Sequence, residues 1–242
     1  MNAATAARLN DLNLRFYQTF AGEFSATRRR LQPGVRRVLD RLEGGEAVLD
    51  LGCGNGELRR ELVRRGHRGP VLGLDFSLPL IQAGSAASGE PAEGCLQADL
   101  TGADWDAAAR AILGRPCDLV TAFATLHHIP GERARLRILK KVHSLLAASG
   151  RFVHSEWQFL NSPRLRQRLQ GWELAGLTET DVDPGDHLLD WRSGGRGLRY
   201  VHHFNEDELV RLAGTSGFRV VESFLSDGEN GRLGLYQTWE KA

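Results

Sequence analysis

The chain has 242 residues, of which 41% are hydrophobic and 25% are charged. These fractions are typical of a globular protein and exclude a disordered or fibrous one. The 31 basic and 30 acidic residues leave a net charge of +1, so no overall field draws the protein to nucleic acid or to a membrane. Three cysteines are too few for a disulfide scaffold, and no stretch reaches the ~18 consecutive apolar residues of a membrane span. We expect a single domain over 1–242 that is cytoplasmic and has no membrane partner.

Helical spacing of apolar residues characterises the N-terminal segment, 1–45, where we expect helices over 8–20 and 34–42. From residue 48 onwards, short apolar runs alternate with amphipathic stretches. This alternation, with strands that are apolar nearly throughout, predicts an α/β fold with a mostly parallel sheet and helices on both faces. The predicted strands are 48–51, 71–74, 95–98, 118–123 and 151–157, and the predicted helices are 57–66, 78–87, 105–113 and 132–148.

The C-terminal part follows a different pattern. Asn205 is suited to cap a helix that Gly217 ends. Two apolar runs, 218–225 and 233–239, flank a turn-rich stretch, so we expect them to pair as antiparallel strands. Residues 158–204 fit neither periodicity. We interpret them as an insertion over the carboxyl edge of the sheet, on the substrate side.

Alternate glycines follow the first predicted strand, in the run 50–56 with the sequence Asp-Leu-Gly-Cys-Gly-Asn-Gly. Glycine has no side chain, so a ligand can approach such a backbone closely. A dinucleotide fold uses Gly-x-Gly-x-x-Gly, with the pyrophosphate at the helix N-terminus. Here the third glycine arrives one residue early, and the Glu57 carboxylate stands where it would repel a pyrophosphate. The dinucleotide hypothesis is weakened and stays open as an alternative.

The run 50–56 resembles the nucleotide loop of class I S-adenosylmethionine-dependent methyltransferases. This resemblance implies a Rossmann-like sheet with a C-terminal antiparallel strand, and S-adenosylmethionine as the cofactor. It also implies that an aspartate at the strand end binds the ammonium group while the loop backbone contacts the methionine part. The loop residues predicted to bind the cofactor are Asp50, Gly52, Cys53, Gly54, Asn55 and Gly56.

Two more aspartates end predicted strands and support this prediction. Asp75 follows Asp50 at a spacing close to the ~20 residues of ribose-binding acids, and a carboxylate accepts from two vicinal hydroxyls at once. Asp99 is predicted to accept from the adenine amino group, with Phe76 on the adenine face. Any one of them alone would carry little weight, since an Asp after a strand often caps a helix. The other predicted cofactor residues are Ser77, Leu100, Phe123 and Ala124.

The loop after the fourth predicted strand contains His127 and His128. In the resembled superfamily this loop borders the transferred methyl group, and we therefore name both as candidate catalytic residues. Two interpretations stay open, since the rings either contact the substrate or only hold the loop. No histidine spacing is typical of a metal site, so we predict no metal.

A more specific resemblance rests on the run 24–28, Phe-Ser-Ala-Thr-Arg, and the run 199–204, Arg-Tyr-Val-His-His-Phe. Both are similar to segments of the tRNA wobble-uridine carboxymethyl methyltransferases. This resemblance implies a carboxymethyl-type modified uridine in tRNA as the acceptor and, in eukaryotes, a small zinc-binding activator subunit as a partner. It also implies Arg28 at the cofactor site, and the residues that it implies at the substrate are Trp191, Tyr200 and His202.

Methylation of this acceptor needs little help from a catalytic base, because a carboxylate with a pKa of ~4 is already ionised at neutral pH. The arginines of the run 164–168 are the candidate contacts to RNA phosphates. Two other hypotheses stay open. One is a methyltransferase that acts on a small-molecule carboxylate or hydroxyl, and the other is a non-catalytic module that binds the cofactor or a partner.

Overall fold

The N-terminal segment forms three helices in the computed structural model, which describes residues 1–27, 30–88 and 94–242. They are α1 (Ala3–Thr19), α2 (Ala21–Ala26) and α3 (Pro33–Leu39). α1 begins earlier than predicted because Asn2 caps it, its side-chain oxygen accepting from the Thr5 amide at 2.8 Å. The short helix α2 lies where no element was predicted.

Strands and helices then alternate along the chain as predicted. They are β1 (Val48–Leu51), α4 (Glu57–Arg64), β2 (Val71–Asp75), α5 (Leu78–Ser88), β3 (Cys95–Gln97), α6 (Trp105–Leu113), β4 (Cys117–Phe123), α7 (Glu132–Leu145) and β5 (Leu146–Trp157). These strands form parallel pairs. β1 pairs with β2 and β4, β2 pairs with β3, and β4 pairs with β5. α7 ends before its predicted end because the backbone becomes extended at Leu146, where β5 begins.

The stretch 158–204 forms a small second sheet of its own. Its elements are α8 (Pro163–Arg166), β6 (Leu169–Gln170), β7 (Asp186–Trp191) and β8 (Gly197–His202), and β7 pairs antiparallel with both β6 and β8. These elements are too short to establish a periodicity in the sequence. The small sheet packs on α1, because Leu9 shares an apolar cluster with Trp172, Leu188 and Tyr200.

The C-terminal elements complete the large sheet. They are α9 (Glu206–Thr215), β9 (Phe218–Ser226) and β10 (Gly234–Lys241), and β10 runs antiparallel between β5 and β9. Asn205 caps α9 as predicted, its side-chain oxygen accepting from the Glu208 amide at 2.8 Å. Within the described residues, the strand order is β3-β2-β1-β4-β5-β10-β9. The predicted fold class is confirmed.

Apolar side chains cover both faces of this sheet, because successive strand residues point to opposite sides. Leu49 and Trp239 belong to the cluster beneath α6, α7 and α9. Val48 and Val153 belong to the cluster beneath α3 and α4. The helices therefore hold the sheet from both sides, and none in the described part of the chain is long and apolar enough to cross a membrane.

Asn13 on α1 joins the two sheets, and we expect its loss to be costly. Its side chain is 1% exposed. Its amide nitrogen donates to the Tyr200 and His128 carbonyls at 3.1 Å each, and its oxygen accepts from the Tyr200 amide at 2.8 Å. Asn13→Ala removes these three hydrogen bonds and leaves the buried Tyr200 amide without its acceptor, so the free energy of unfolding should fall by about 2–3 kcal/mol in urea denaturation. Gln18→Ala, at an exposed position of the same helix, should change it little, and an equal effect of both variants would contradict this assignment.

Candidate active site

The glycine loop, residues 52–56, leaves β1 at the carboxyl edge of the large sheet. Two backbone hydrogen bonds fasten it to β2, from the amides of Gly52 and Cys53 to the Leu74 carbonyl at 2.7 and 3.0 Å. Gly52 and Gly54 have φ angles of +72° and +55°, a region that disfavours side chains. A Cβ on Gly52 would lie 2.2 Å from the Thr125 hydroxyl oxygen, whereas a Cβ on Gly54 would meet nothing within 4 Å. The loop is thus packed on one side and bare on the other.

A cavity of about 220 Å³ opens above this bare backbone. It brings together most of the residues that the sequence predicted, from four successive parallel strands and the loops that follow them. The predicted residues that line it are Asp50, Gly52, Cys53, Gly54, Asn55, Asp75, Phe76, Asp99, Leu100, Phe123, Ala124, His127 and His128.

Two other predicted cofactor residues do not line the cavity. Gly56 sits at the start of α4, and its amide donates to the Cys53 carbonyl at 2.9 Å. Ser77 is fully buried, and its amide donates to an Asp75 carboxylate oxygen at 2.8 Å. Both support the loop and the carboxylate from behind. Arg28 lies outside the described residues.

Asp50 is a buried carboxylate at the end of β1. It is 5% exposed and accepts a hydrogen bond of 2.7 Å from the Thr121 hydroxyl on β4. Burial raises the pKa of Asp50 to about 7, with a smaller rise from the charge of Asp75, while the hydrogen bond from Thr121 opposes it. A cationic ligand group beside Asp50 would restore the ionised form.

Asp75 at the end of β2 is held from two sides. The amides of Gly54 and Ser77 donate to its two oxygens at 2.8 Å each. Burial raises the pKa of Asp75 to about 6, and these two hydrogen bonds limit the rise. Each oxygen has a second lone pair, so the carboxylate can still accept from a pair of ligand hydroxyls. Asp99, in contrast, is exposed and accepts from the Thr101 amide and hydroxyl at 2.8 Å each.

These donors and acceptors fit S-adenosylmethionine. Two buried carboxylates face a ligand that carries an ammonium group, a sulfonium centre and ribose hydroxyls, and the bare face at Gly54 admits it close to the backbone. Phe76 and Leu100 line the same cavity beside Asp99 and offer apolar surface to a base. Ala124, at the far end, has a φ of +53°, a strained conformation of a kind that concentrates at functional sites.

His127 and His128 both line the cavity, and both rings are held by the protein. The His127 Nδ1 lies 3.0 Å from a carboxylate oxygen of Glu156, a residue that is 1% exposed. The His128 Nδ1 lies 3.2 Å from the Tyr200 carbonyl, and its Nε2 lies 2.9 Å from the Tyr17 hydroxyl. His128 thus ties the loop to α1 and β8, which favours the loop-holding interpretation for that ring. A catalytic role for His127 stays a prediction.

The glutamate behind His127 is itself unusual. Glu156 also lies 2.9 Å from His154 Nδ1, and His154 is fully buried against the Phe152 and Trp239 rings. Burial raises the pKa of Glu156 well above its usual range and lowers the pKa of His154 to about 3. His154 is therefore neutral, and the Glu156 carboxyl is fixed between two imidazoles.

The structure places Tyr200 and His202 outside the lining of the cavity, and their role at the substrate stays a prediction. The Tyr200 hydroxyl donates to an Asp186 oxygen at 2.6 Å, and His202 lies between Asp186 at 2.7 Å and Glu208 at 3.0 Å. The cause is the alternation of side chains along β8, which turns both residues to one face. Trp191 is buried next to Phe24 and does not line the cavity either.

Arg199 and Trp157 line the cavity although neither was predicted as a site residue. Arg199 lies beside Tyr200 on β8 and so points to the opposite face, towards the cavity. Trp157 is the last residue of β5, at the edge where ligands bind in such sheets. The alternation and the strand end were the two signals that could have identified them.

The two raised carboxyl pKa values predict how ligand affinity depends on pH. Because ionised carboxylates accept from hydroxyls and attract an ammonium group, the affinity for S-adenosylhomocysteine should rise between about pH 5 and about pH 8, as Asp75 and Asp50 lose protons near 6 and 7. The stability of the unliganded fold has the opposite pH dependence. A raised carboxyl pKa stabilises the fold at low pH, and this stabilisation is lost as pH rises through 6 to 7. Titration calorimetry at several pH values measures the first effect, and thermal unfolding measures the second.

One variant and one control variant test that prediction. Asp75→Asn should bind the ligand more weakly and with a smaller pH dependence, because one of the two titrating groups is gone. Asp104→Asn, which alters an exposed carboxylate outside the cavity, should retain the full dependence. An affinity that is flat with pH in the unaltered protein would contradict the assignment.

Comparison with known proteins agrees with this site. The family model described as "Methyltransferase domain" matches residues 24–223. A relative from Encephalitozoon cuniculi that is named as a methyltransferase is 31% identical over 209 residues, which cover 86% of this chain and 87% of that protein. The tRNA (carboxymethyluridine(34)-5-O)-methyltransferase of Macaca fascicularis is 27% identical over 144 residues, 58% of this chain, and these span only 19% of that longer protein.

Solved structures share the fold. The 1,6-didemethyltoxoflavin-N1-methyltransferase of Burkholderia thailandensis, solved with bound S-adenosylhomocysteine, has a TM-score of 0.64 at 21% identity and covers 100% of this chain, which covers 92% of it. The structure described as a DhpI-SAM-HEP complex has a TM-score of 0.64 at 23% identity, with 96% and 97% of the two chains covered. The neighbours and the family support S-adenosylmethionine as the cofactor. Because the family model covers most of its length, this chain belongs to the methyltransferase domain family.

Proposed function

We propose that the protein transfers a methyl group from S-adenosylmethionine to the carboxylate of a carboxymethyl-type modified wobble uridine in tRNA. One observation carries this proposal. The two stretches that resemble the tRNA enzymes are far apart in sequence, yet Phe24 and Ser25 from α2 and Arg199 from β8 line the same cavity as the glycine loop. Residues from both of the stretches that resemble the tRNA enzymes therefore border the cavity.

The named relatives support the same acceptor. Several of them carry names that specify carboxymethyluridine at position 34 of tRNA, from Macaca fascicularis to Arabidopsis thaliana, at 27% and 29% identity. Arg164 and Arg166 on α8 are exposed and are suited to contact phosphates outside the cavity. A small activator subunit stays a further prediction for this chain.

The residues of the cavity suit ester formation. When bound, the cofactor supplies an electrophilic methyl group. An acceptor carboxylate is already an ionised nucleophile, so the protein has to orient it and to exclude water. Trp157 and the buried ring of His127, held by Glu156, supply a rigid wall on the β4 and β5 side of the cavity.

Product analysis tests this proposal. The protein, S-adenosylmethionine and tRNA that carries 5-carboxymethyluridine are incubated, and the digested nucleosides are analysed by mass spectrometry. We expect the methyl ester of that nucleoside to form, and tRNA with an unmodified wobble uridine to stay unchanged. Asp75→Asn serves as the matched protein control, since it should weaken the cofactor site and reduce the yield by about tenfold or more. Transfer to unmodified tRNA, or no transfer with a reconstituted activator present, would contradict the proposed acceptor.

A small-molecule carboxylate is the second candidate acceptor. The cavity of about 220 Å³ lies below the usual range of ~300–1,000 Å³ for small-molecule sites. Because the cofactor would take up part of this same cavity, the remaining space suits a compact acceptor, and a nucleotide would have to reach into it from outside. Methylation of small aromatic acids without any methylation of tRNA would favour this candidate.

A further inference from the structure

Arg199 is a buried cation at the cavity. It lies on β8, is 6% exposed and lines the cavity together with the glycine loop and the histidine pair. An arginine side chain keeps its charge at any physiological pH. The fold therefore holds a permanent positive charge at the cavity.

No carboxylate in the described part of the chain forms an ion pair with Arg199. The Arg199 Nε is buried and has no hydrogen-bond partner, and the described carboxylates that form ion pairs do so with other cations. Arg135 is a useful contrast, since it is 1% exposed and donates to the Ile129 carbonyl at 3.0 Å, the Tyr200 hydroxyl at 3.1 Å and a Glu208 oxygen at 3.4 Å. The chain satisfies one buried arginine fully and leaves the other unpaired at the cavity.

Aromatic rings surround the unpaired guanidinium. Its central carbon lies 4.8 Å from the Trp157 ring centre, 5.4 Å from that of Phe16 and 5.7 Å from that of Trp191. Rings attract a cation, but they provide no oxygen acceptor for its five N–H donors. An unpaired buried charge destabilises the fold. This arrangement is therefore typical of a binding site for an anion.

Arg199 lies at a different position along the sheet from the predicted cofactor residues. The cofactor acids follow β1, β2 and β3, whereas Trp157 ends β5, two strands beyond β1 on the other side. Strands are spaced about 4.8 Å apart, which puts the end of β5 about 10 Å from the strand that carries the glycine loop. Arg199 contacts Trp157 and thus lies on the acceptor side.

We propose that Arg199 is the residue that binds the anionic group of the methyl acceptor, and that this group is a carboxylate. The inference deepens the proposed function and rests on it for the identity of the whole acceptor. A guanidinium offers two parallel N–H donors that match the two oxygens of a carboxylate. An amide or a hydroxyl in the same place would leave the buried charge without a counter-ion, so Arg199 also sets specificity.

Binding measurements with an acid and its neutral amide test this role. The probes are 5-carboxymethyluridine and 5-carbamoylmethyluridine, titrated into protein that is saturated with S-adenosylhomocysteine. The unaltered protein should bind the acid about tenfold more tightly or better, because only the acid neutralises the cation. Arg199→Met should abolish this preference and Arg199→Lys should retain part of it. Arg196→Met, at an exposed arginine shortly before the same strand, should leave it unchanged.

Two further readouts separate a binding role from a structural one. Arg199→Met should leave the affinity for S-adenosylhomocysteine within about twofold, since Arg199 contacts Trp157 at the end of β5, two strands away from the glycine loop. It should also raise the melting temperature by about 2–4 °C, because it removes an unpaired buried charge and keeps an apolar side chain among the rings. A structural arginine would give a lower melting temperature instead.

Any of three results would overturn the proposal. They are equal binding of acid and amide by the unaltered protein, an acid preference that survives Arg199→Met, and a tenfold loss of S-adenosylhomocysteine affinity in that variant, which would assign the arginine to the cofactor carboxylate. The proposed tRNA function fails separately. Suppose that no ester forms on tRNA, but that the unaltered protein prefers the acid and Arg199→Met loses this preference. The anion site would then be supported and tRNA would be excluded as the acceptor.

Discussion

The attachment of the glycine loop to β2 is the interaction on which the site depends. Two amides of the loop share the Leu74 carbonyl, and a third, from Gly54, binds the carboxylate of Asp75 one residue further on. On its other side the loop packs against the segment that follows β4, which it can do only because Gly52 carries no Cβ against Thr125. The same contacts that close the turn therefore orient the acid that is expected to meet the ribose. A packing constraint and a binding geometry are fixed by one set of hydrogen bonds.

The strands, the loop and the two acids could be predicted from the sequence because each has a local cause. An apolar run long enough to cross a buried sheet specifies a strand, and parallel strands bring their carboxyl ends to one edge. Asp50 and Asp75 meet for that reason alone. The small sheet of β6, β7 and β8 has no such cause, since β6 has two residues and its partners are chosen by packing on α1.

The sequence did not predict the face of the strand on which each residue of β8 lies. Resemblance drew attention to Tyr200 and His202, whose side chains carry chemistry, yet they form a buried network with Asp186 and Glu208. Arg199 received no role, although it directly precedes Tyr200 on the strand and therefore points to the opposite face. Residue type alone could not decide between the faces. The tertiary contacts of each face were needed. Tyr200 packs with Leu9 of α1 and Arg199 lies against Trp157 of β5, and both contacts join parts of the chain that are far apart.

The distribution of charge in the cavity matches the proposed reaction. Asp50 and Asp75 are on the cofactor side and Arg199 is on the acceptor side, so each reactant meets a charge opposite to its own. Methyl transfer from a sulfonium to a carboxylate removes both reacting charges, since the products are a neutral thioether and a neutral ester. The ester then leaves Arg199 unpaired again, and the protein loses the attraction that held the acceptor. A buried cation without a protein partner thus favours binding of the acid and release of its ester, which a permanently paired arginine would not do.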